Sequence, residues 1–256
     1  MTPRKLPPLA RWLDYFIGNS ADAGGIPWEA GGALTAEEKN RIGKSIAAFQ
    51  LGEQSEGRSL LKSAGKFAER FGDERLLKVT RLFIGEEQRH ASLLKKFMEI
   101  NHIELIRENW TDTVFRRLRK NVGYELSVTV LITAEIISLI FYRALKNCTG
   151  SKLLEKICDK ILADEAAHVR YESEMILFIR GLKKARARRV AGGLHQFLFL
   201  GTVMVVYFEH RKVLAGGGYG FIRFWASCRR EFSNCFGGGA GAASGTQVAG
   251  RVRDQS

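Results

Sequence analysis

The sequence predicts an all-α protein, a four-helix bundle of two antiparallel hairpins joined by one long crossover, with a helical extension behind it. Three observations carry this. No proline follows Pro27, so the strongest helix breaker is missing from most of the chain. Four stretches repeat apolar residues at alternating spacings of three and four, the period of one helix face. The connections between them run short, long, short, and short turns force antiparallel neighbours.

Taken in order, residues 1–34 are rich in Pro, Gly and Ala without a sustained period, and read as an irregular leader. Thr35 and Glu38 form a capping box that starts the first helix. Its stripe is Ile42, Ile46, Phe49, Glu53, Glu56, Leu60. After Phe71-Gly-Asp73 comes the second, Leu76, Thr80, Phe83, Glu87, His90, Leu94, Phe97. Roughly twenty residues, Asn101 to Lys120, then form the crossover, with a helical stretch of their own over Glu104–Arg119. The third stripe is Tyr124, Val128, Leu131, Glu135, Ser138, Tyr142, Leu145. A turn at Cys148–Ser151 leads to the fourth, Leu154, Cys158, Ile161, Glu165, His168, Glu172, Met175, Ile179. The bundle is therefore expected over 35–184, the extension over 185–236, and a low-complexity, disordered tail over 237–256.

Every stripe is apolar at both ends and acidic in the middle. An unpartnered buried carboxylate is very costly, so four at one level of an apolar bundle require cations between them. Glu87 and His90 stand three apart and share a helix face, as do Glu165 and His168. One Glu-x-x-His is weak; two copies in matching hairpins are specific. The offsets are 78 for both members of the pair, and 79 from Glu56 to Glu135. Four carboxylates and two imidazoles balance two divalent ions, and this oxygen-rich set favours iron or manganese over structural zinc.

With these motifs the chain resembles the ferritin-like diiron-carboxylate superfamily over residues 36–180, as a rubrerythrin-like bundle without a rubredoxin domain, since no CxxC pair occurs. The resemblance implies a metal set of Glu56, Glu87, His90, Glu135, Glu165 and His168, with Glu87 and Glu165 bridging. Glu56 is preferred as first ligand because its separation of 31 from Glu87 mirrors the 30 between Glu135 and Glu165. Glu53 and Glu172 then become supporting or alternate acids, and Asp164 a hydrogen-bond partner for a ligand histidine. Two iron ions are implied, with Mn/Fe or Mn as alternatives. Leu94 stands four residues after His90, where ribonucleotide reductase small subunits place a radical tyrosine, which argues against that activity.

The function these residues imply is an O2- or peroxide-activating oxidoreductase, a hydroxylase or oxidase with a small-molecule substrate and an external electron donor. Small residues beside the metals (Ser59, Ala134, Ser138) would admit that substrate. A ferritin-like iron-handling ferroxidase is the alternative, and the long basic extension argues against its cage. Formal charge is +13, of which +10 falls after residue 179. Residues 190–208 carry no charge and read first as a fifth helix lying on the bundle. Contact with a membrane surface through 190–236 is the second reading. No nucleic-acid motif accompanies the basic residues. Four cysteines without paired spacing and no secretory signal pattern fit reduced thiols in a cytoplasmic protein, and a homodimer is compatible with the pattern.

Overall fold

The computed structural model describes residues 6–21, 25–30, 32–55, 57–119 and 122–236. Among them there is no strand. The elements are α1 (Leu9–Ala21), a 3-10 turn (Trp28–Ala30), α2 (Ala36–Glu53), α3 (Arg58–Phe71), α4 (Arg75–Ile100), α5 (Trp110–Arg119), α6 (Tyr124–Asn147), α7 (Lys152–Gly181), α8 (Ala185–Gly216) and α9 (Phe221–Phe236). The bundle consists of α2 with α3, α4, α6 and α7. The expected tail over 237–256 lies outside the described residues.

The caps explain where the hairpins start. Thr35 accepts from the Glu38 amide while Glu38 reaches back to the Thr35 amide, closing the capping box of α2. Ser151 caps α7 by accepting from the Leu154 amide. The crossover is less helical than the sequence suggests, because α5 spans only Trp110–Arg119. Its start is set by Asn109, whose side chain accepts from the Asp112 amide.

Two further departures matter for the site. The leader is not irregular: Leu9, Trp12 and Phe16 recur at helical spacing on α1 and are buried against α4 and α7. Prolines before this short helix and glycines after it masked its period. Nor is the first bundle helix continuous. It ends at Glu53 and restarts at Arg58, with Gln54, Ser55 and Gly57 outside both helices. Gly57 sits there in the left-handed region (φ 62), and a Cβ would run into the Ile84 side chain, so glycine is required on both counts.

The core divides into two apolar clusters. One gathers Ile42 and Ile46 of α2, Leu94 and Phe97 of α4, Ile140 of α6 and Leu154 and Ile161 of α7. The other gathers Phe16, Leu76, Phe83, Val128, Leu131, Tyr171 and Met175. Each large side chain removed from water contributes about 1.5–3 kcal/mol. The apolar ends of the four stripes thus supply the stability, and the acidic middles meet between them. α6 passes through the middle with nearly every face covered; its membrane-like hydropathy is that of a core helix.

Candidate metal centre

At that middle level, Glu53 comes from the last residue of α2, Glu87 and His90 from α4, Glu135 from α6, and Glu165 and His168 from α7. They form two overlapping groups: Glu53, Glu87, His90 and Glu165, and Glu87, Glu135, Glu165 and His168. Within each group one ligand atom per residue lies within 4.8 Å of the others. Glu87 and Glu165 belong to both groups. The two oxygens of Glu165 divide between the histidines, with Oε1 3.5 Å from His90 Nδ1 and Oε2 4.0 Å from His168 Nδ1. Glu87 Oε1 lies 3.7 Å from His90 Nδ1 and 3.1 Å from His168 Nδ1.

Both imidazoles turn Nδ1 inward and Nε2 outward. His90 Nε2 is bonded to Asp164 Oδ2 at 3.0 Å, and His168 Nε2 to Glu86 Oε2 at 2.8 Å. The arrangement is reciprocal, since the acid preceding each Glu-x-x-His orients the histidine of the other motif. Asn19 of α1 spans these acids, donating to Glu86 Oε1 at 2.7 Å and to Asp164 Oδ1 at 2.9 Å. Lys160 donates to Asn19 Oδ1 and to Asp164. Such outer partners fix the tautomer and the ring plane of a ligand histidine. Phe16 and Phe83 pack over the His168 ring and keep that side dry.

The electrostatics are those of a carboxylate cluster in want of positive charge. Burial alone would lower His90, but Asp164 and the negative charges of Glu165, Glu87 and Glu53 raise it to about 10. His168 moves the same way against its own burial, through Glu86, Glu87 and Glu165. Burial, with Glu87 and Glu165 beside it, pushes Glu53 well above the usual carboxylate range. Burial also raises Glu165. Asp164, though buried, is held down to about 2 by His90, Asn19 and Lys160. Five inward atoms make no hydrogen bond: Glu87 Oε1, His90 Nδ1, both oxygens of Glu165, and His168 Nδ1. Buried polar atoms are rarely left so unless something else binds them, and these are the ligand types that take iron or manganese.

Of the residues read from the sequence, Glu87, His90, Glu135, Glu165 and His168 are brought together. Glu53, read as a supporting or alternate acid, stands in the first-ligand position of the cluster; Glu56 lies outside the described residues. Glu172 is buried but belongs to neither group, and sits beside Tyr124 and Tyr171. His102 is exposed in the crossover. Asn19 and Glu86 were not read as site residues. Glu86 had a visible signal: an acid immediately precedes the Glu-x-x-His in both copies. Asn19 had none. Tyr142, a member of the third stripe, donates a 2.6 Å hydrogen bond to Glu53 Oε1.

A cavity of about 150 Å³ opens beside the cluster, reaching Glu53, Glu87 and Glu135. Its walls are mainly apolar, from Phe49, Val130, Leu131, Ile137 and Val206, with the small Ala134 and Ser138 next to Glu135. Ser59 is exposed elsewhere and does not line it. At the mouth, Asn109 and Thr111 each donate to Glu209 of α8 at 2.7 Å, clasping the crossover onto the extension.

No family model and no curated protein matches the chain by sequence. Among solved structures, three variants of an R2-like ligand-binding oxidase superpose on it. Two carry an aerobically reconstituted Mn/Fe cofactor; each gives a TM-score of 0.63 at 14% identity over 90% of this chain, covering 92% and 93% of its own. The third, with an anaerobically reconstituted Mn/Fe cofactor, gives 0.59 at 15% identity over 90% of this chain and 92% of its own. The chain has the ferritin-like fold. Within a ferritin-like bundle the two helical hairpins face each other across the level where the carboxylates lie. The extension belongs to the packed body, α8 lying against α2 and α6 and α9 against α6 and α7.

Proposed function

We propose that this chain is an O2- or peroxide-activating oxidoreductase with a two-metal carboxylate centre, acting on a small, largely apolar substrate. The observation that carries the reading is the pair of overlapping ligand groups with five inward-turned atoms lacking hydrogen bonds. Glu53 and His90 would hold one ion, Glu135 and His168 the other, and Glu87 and Glu165 both. The Mn/Fe cofactor of the similar structures supports iron with manganese, and the oxygen-rich ligand set also suits iron with iron. Bound there, such a pair supplies the electrons that reduce O2 or peroxide.

The remaining work falls to the chain. Asp164 and Glu86 fix the imidazoles with Nδ1 facing inward. Tyr142 holds one oxygen of Glu53 in place from the edge of the cluster. The two apolar clusters and the ring of Phe16 exclude water from the centre, which preserves a reactive oxidant from side reactions. The cavity gives an organic molecule a seat against Glu53, Glu87 and Glu135 without crossing the core.

A ferroxidase without organic substrate is the second reading. It needs a path for ferrous ions, and the mainly apolar walls of the cavity beside the centre favour an organic guest instead. Anaerobic loading with Fe(II), or with Mn(II) and Fe(II), followed by O2 and spectroscopic and elemental analysis, separates the two. The oxidoreductase takes up about two ions per chain and then needs reductant to cycle. Mineral growth far beyond two irons per chain would refute it.

A further inference from the structure

α8 has two faces with opposite fates. Its inner residues His195, Phe199, Val203, Val206 and His210 are buried on the bundle. Its outer face exposes Val190 (58%), Leu194 (65%), Phe197 (80%), Met204 and Phe208 (59%), at spacings of four, three, seven and four. That is one continuous apolar stripe of roughly 27 Å. Ile222 at the start of α9 is 82% exposed. Soluble monomers rarely leave so long an apolar face uncovered.

The stripe ends in cations. Arg186, Arg188 and Arg189 are exposed before it, Arg211 and Lys212 after it, and residues 185–208 contain no acid. This charge pattern decides between occupants. Were a second copy to cover the stripe, an antiparallel pairing would set the basic start of each helix against the basic end of the other. A parallel pairing would set each basic end on its own counterpart. The one carboxylate of the helix, Glu209, is already engaged by Asn109 and Thr111, so neither pairing offers a free carboxylate to an arginine. An anionic lipid surface satisfies both features at once, apolar side chains entering the acyl boundary and arginines meeting headgroups. Spanning is disfavoured because the inner face of the helix is occupied by the bundle.

We propose that the outer face of α8, from Arg186 to Lys212, docks the protein in the plane of an anionic phospholipid surface. The inner face of the same segment contributes Thr202, Val206 and His210 to the cavity wall, so the docked surface would lie one helix away from the substrate seat. The inference stands on the outer face alone and does not depend on the metal reading.

The test is flotation of the full chain with vesicles of phosphatidylcholine alone, or with one third phosphatidylglycerol. Binding is expected to the anionic vesicles and to weaken in high salt. Each cation near such a surface strengthens partitioning roughly fivefold, so replacing Arg186, Arg188 and Arg189 by Gln should weaken binding about a hundredfold. Phe197→Asp with Phe208→Asp should weaken it at least about tenfold. Circular dichroism and metal content, both expected unchanged, show that these exposed substitutions leave the bundle folded. No binding to either vesicle, equal binding to both, or binding that survives both sets of substitutions would overturn the proposal. So would light scattering that finds a dimer which Phe197→Asp dissociates.

Discussion

The two hairpins offer the same ligands and deliver them differently. In the second, Glu135 sits in the interior of the unbroken α6, 30 residues before Glu165. In the first, Glu53 is the last residue of α2, and 34 residues separate it from Glu87. The difference of four is about one helical turn, and it falls where α2 ends at Glu53 and α3 starts at Arg58. The backbone of Glu135 is held by helical hydrogen bonds on both sides, whereas Glu53 stands where those of α2 run out. The first hairpin compensates with Tyr142, which reaches from α6 to pin Glu53. One helix, α6, therefore supplies its own carboxylate and also positions that of the other hairpin.

The largest effect should come from what the hairpins share. Glu165→Ala removes the residue whose oxygens serve both histidines, and both ions should be lost, read by elemental analysis after reconstitution. Retention of two ions would break the picture of a shared bridge. Next come the outer partners. Asp164→Asn and Asn19→Ala should each lower metal affinity about 10–100-fold, the usual size for groups that orient a ligand histidine. Asn19→Ala touches the acids behind both histidines, so both ions should weaken together; selective loss of one would show that α1 serves a single hairpin.

Gly57→Ala tests the interruption itself. It sets a side chain at φ 62 and against Ile84, and should cost about 2 kcal/mol or more of stability in thermal melts. Adding Ile84→Ala should recover the steric part and leave the backbone part. No comparable position exists in the second hairpin, where the chain stays helical through Glu135.

The smallest effect is titration of the two clamps by which α8 grips the hairpins. His210 bonds Ser45 of α2, with Phe49 and Phe141 against its ring and Glu209 nearby. His195 bonds Thr133 of α6 and Arg180 of α7 beneath Phe232 and Phe236. Burial pushes His210 down to about 4; burial and then Arg180 push His195 down to about 3. Both stay neutral when folded while the unfolded chain takes up protons below its ordinary histidine pKa near 6.5. The contribution of these two histidines should thus be constant above that value, and stability should fall as pH drops from 6.5 towards 4, by roughly 1 kcal/mol each at pH 5.5. His210→Gln and His195→Gln should each flatten the slope by about half. Equal slopes in the variants and the parent would assign the acid sensitivity elsewhere.

Much of this was legible because the chemistry is periodic. The Glu-x-x-His pairs, the stripes and the short turns are local patterns, and each falls where the helix period puts it. What was hidden depended on the chain leaving its period. A stripe drawn through Glu53, Glu56 and Leu60 assumes an unbroken helix, and a restart governed by one left-handed glycine is invisible to that count. α1 was hidden because three apolar residues between prolines and glycines make a weak signal, though their burial against α4 is complete. Asn19 could not be found at all: a lone asparagine gains its role only from two acids that tertiary packing brings to it.

The crossed hydrogen bonds behind the histidines carry a consequence for how the centre fills. His90 on α4 is aimed by Asp164 on α7, and His168 on α7 by Glu86 on α4. Neither helix can present a finished half-site without the other in register. An ion held at one motif would share Glu87 and Glu165 with the second. Filling should therefore approach all-or-none, with molecules holding a single ion scarce throughout a titration, and any sliding of α4 along α7 should release both ions together.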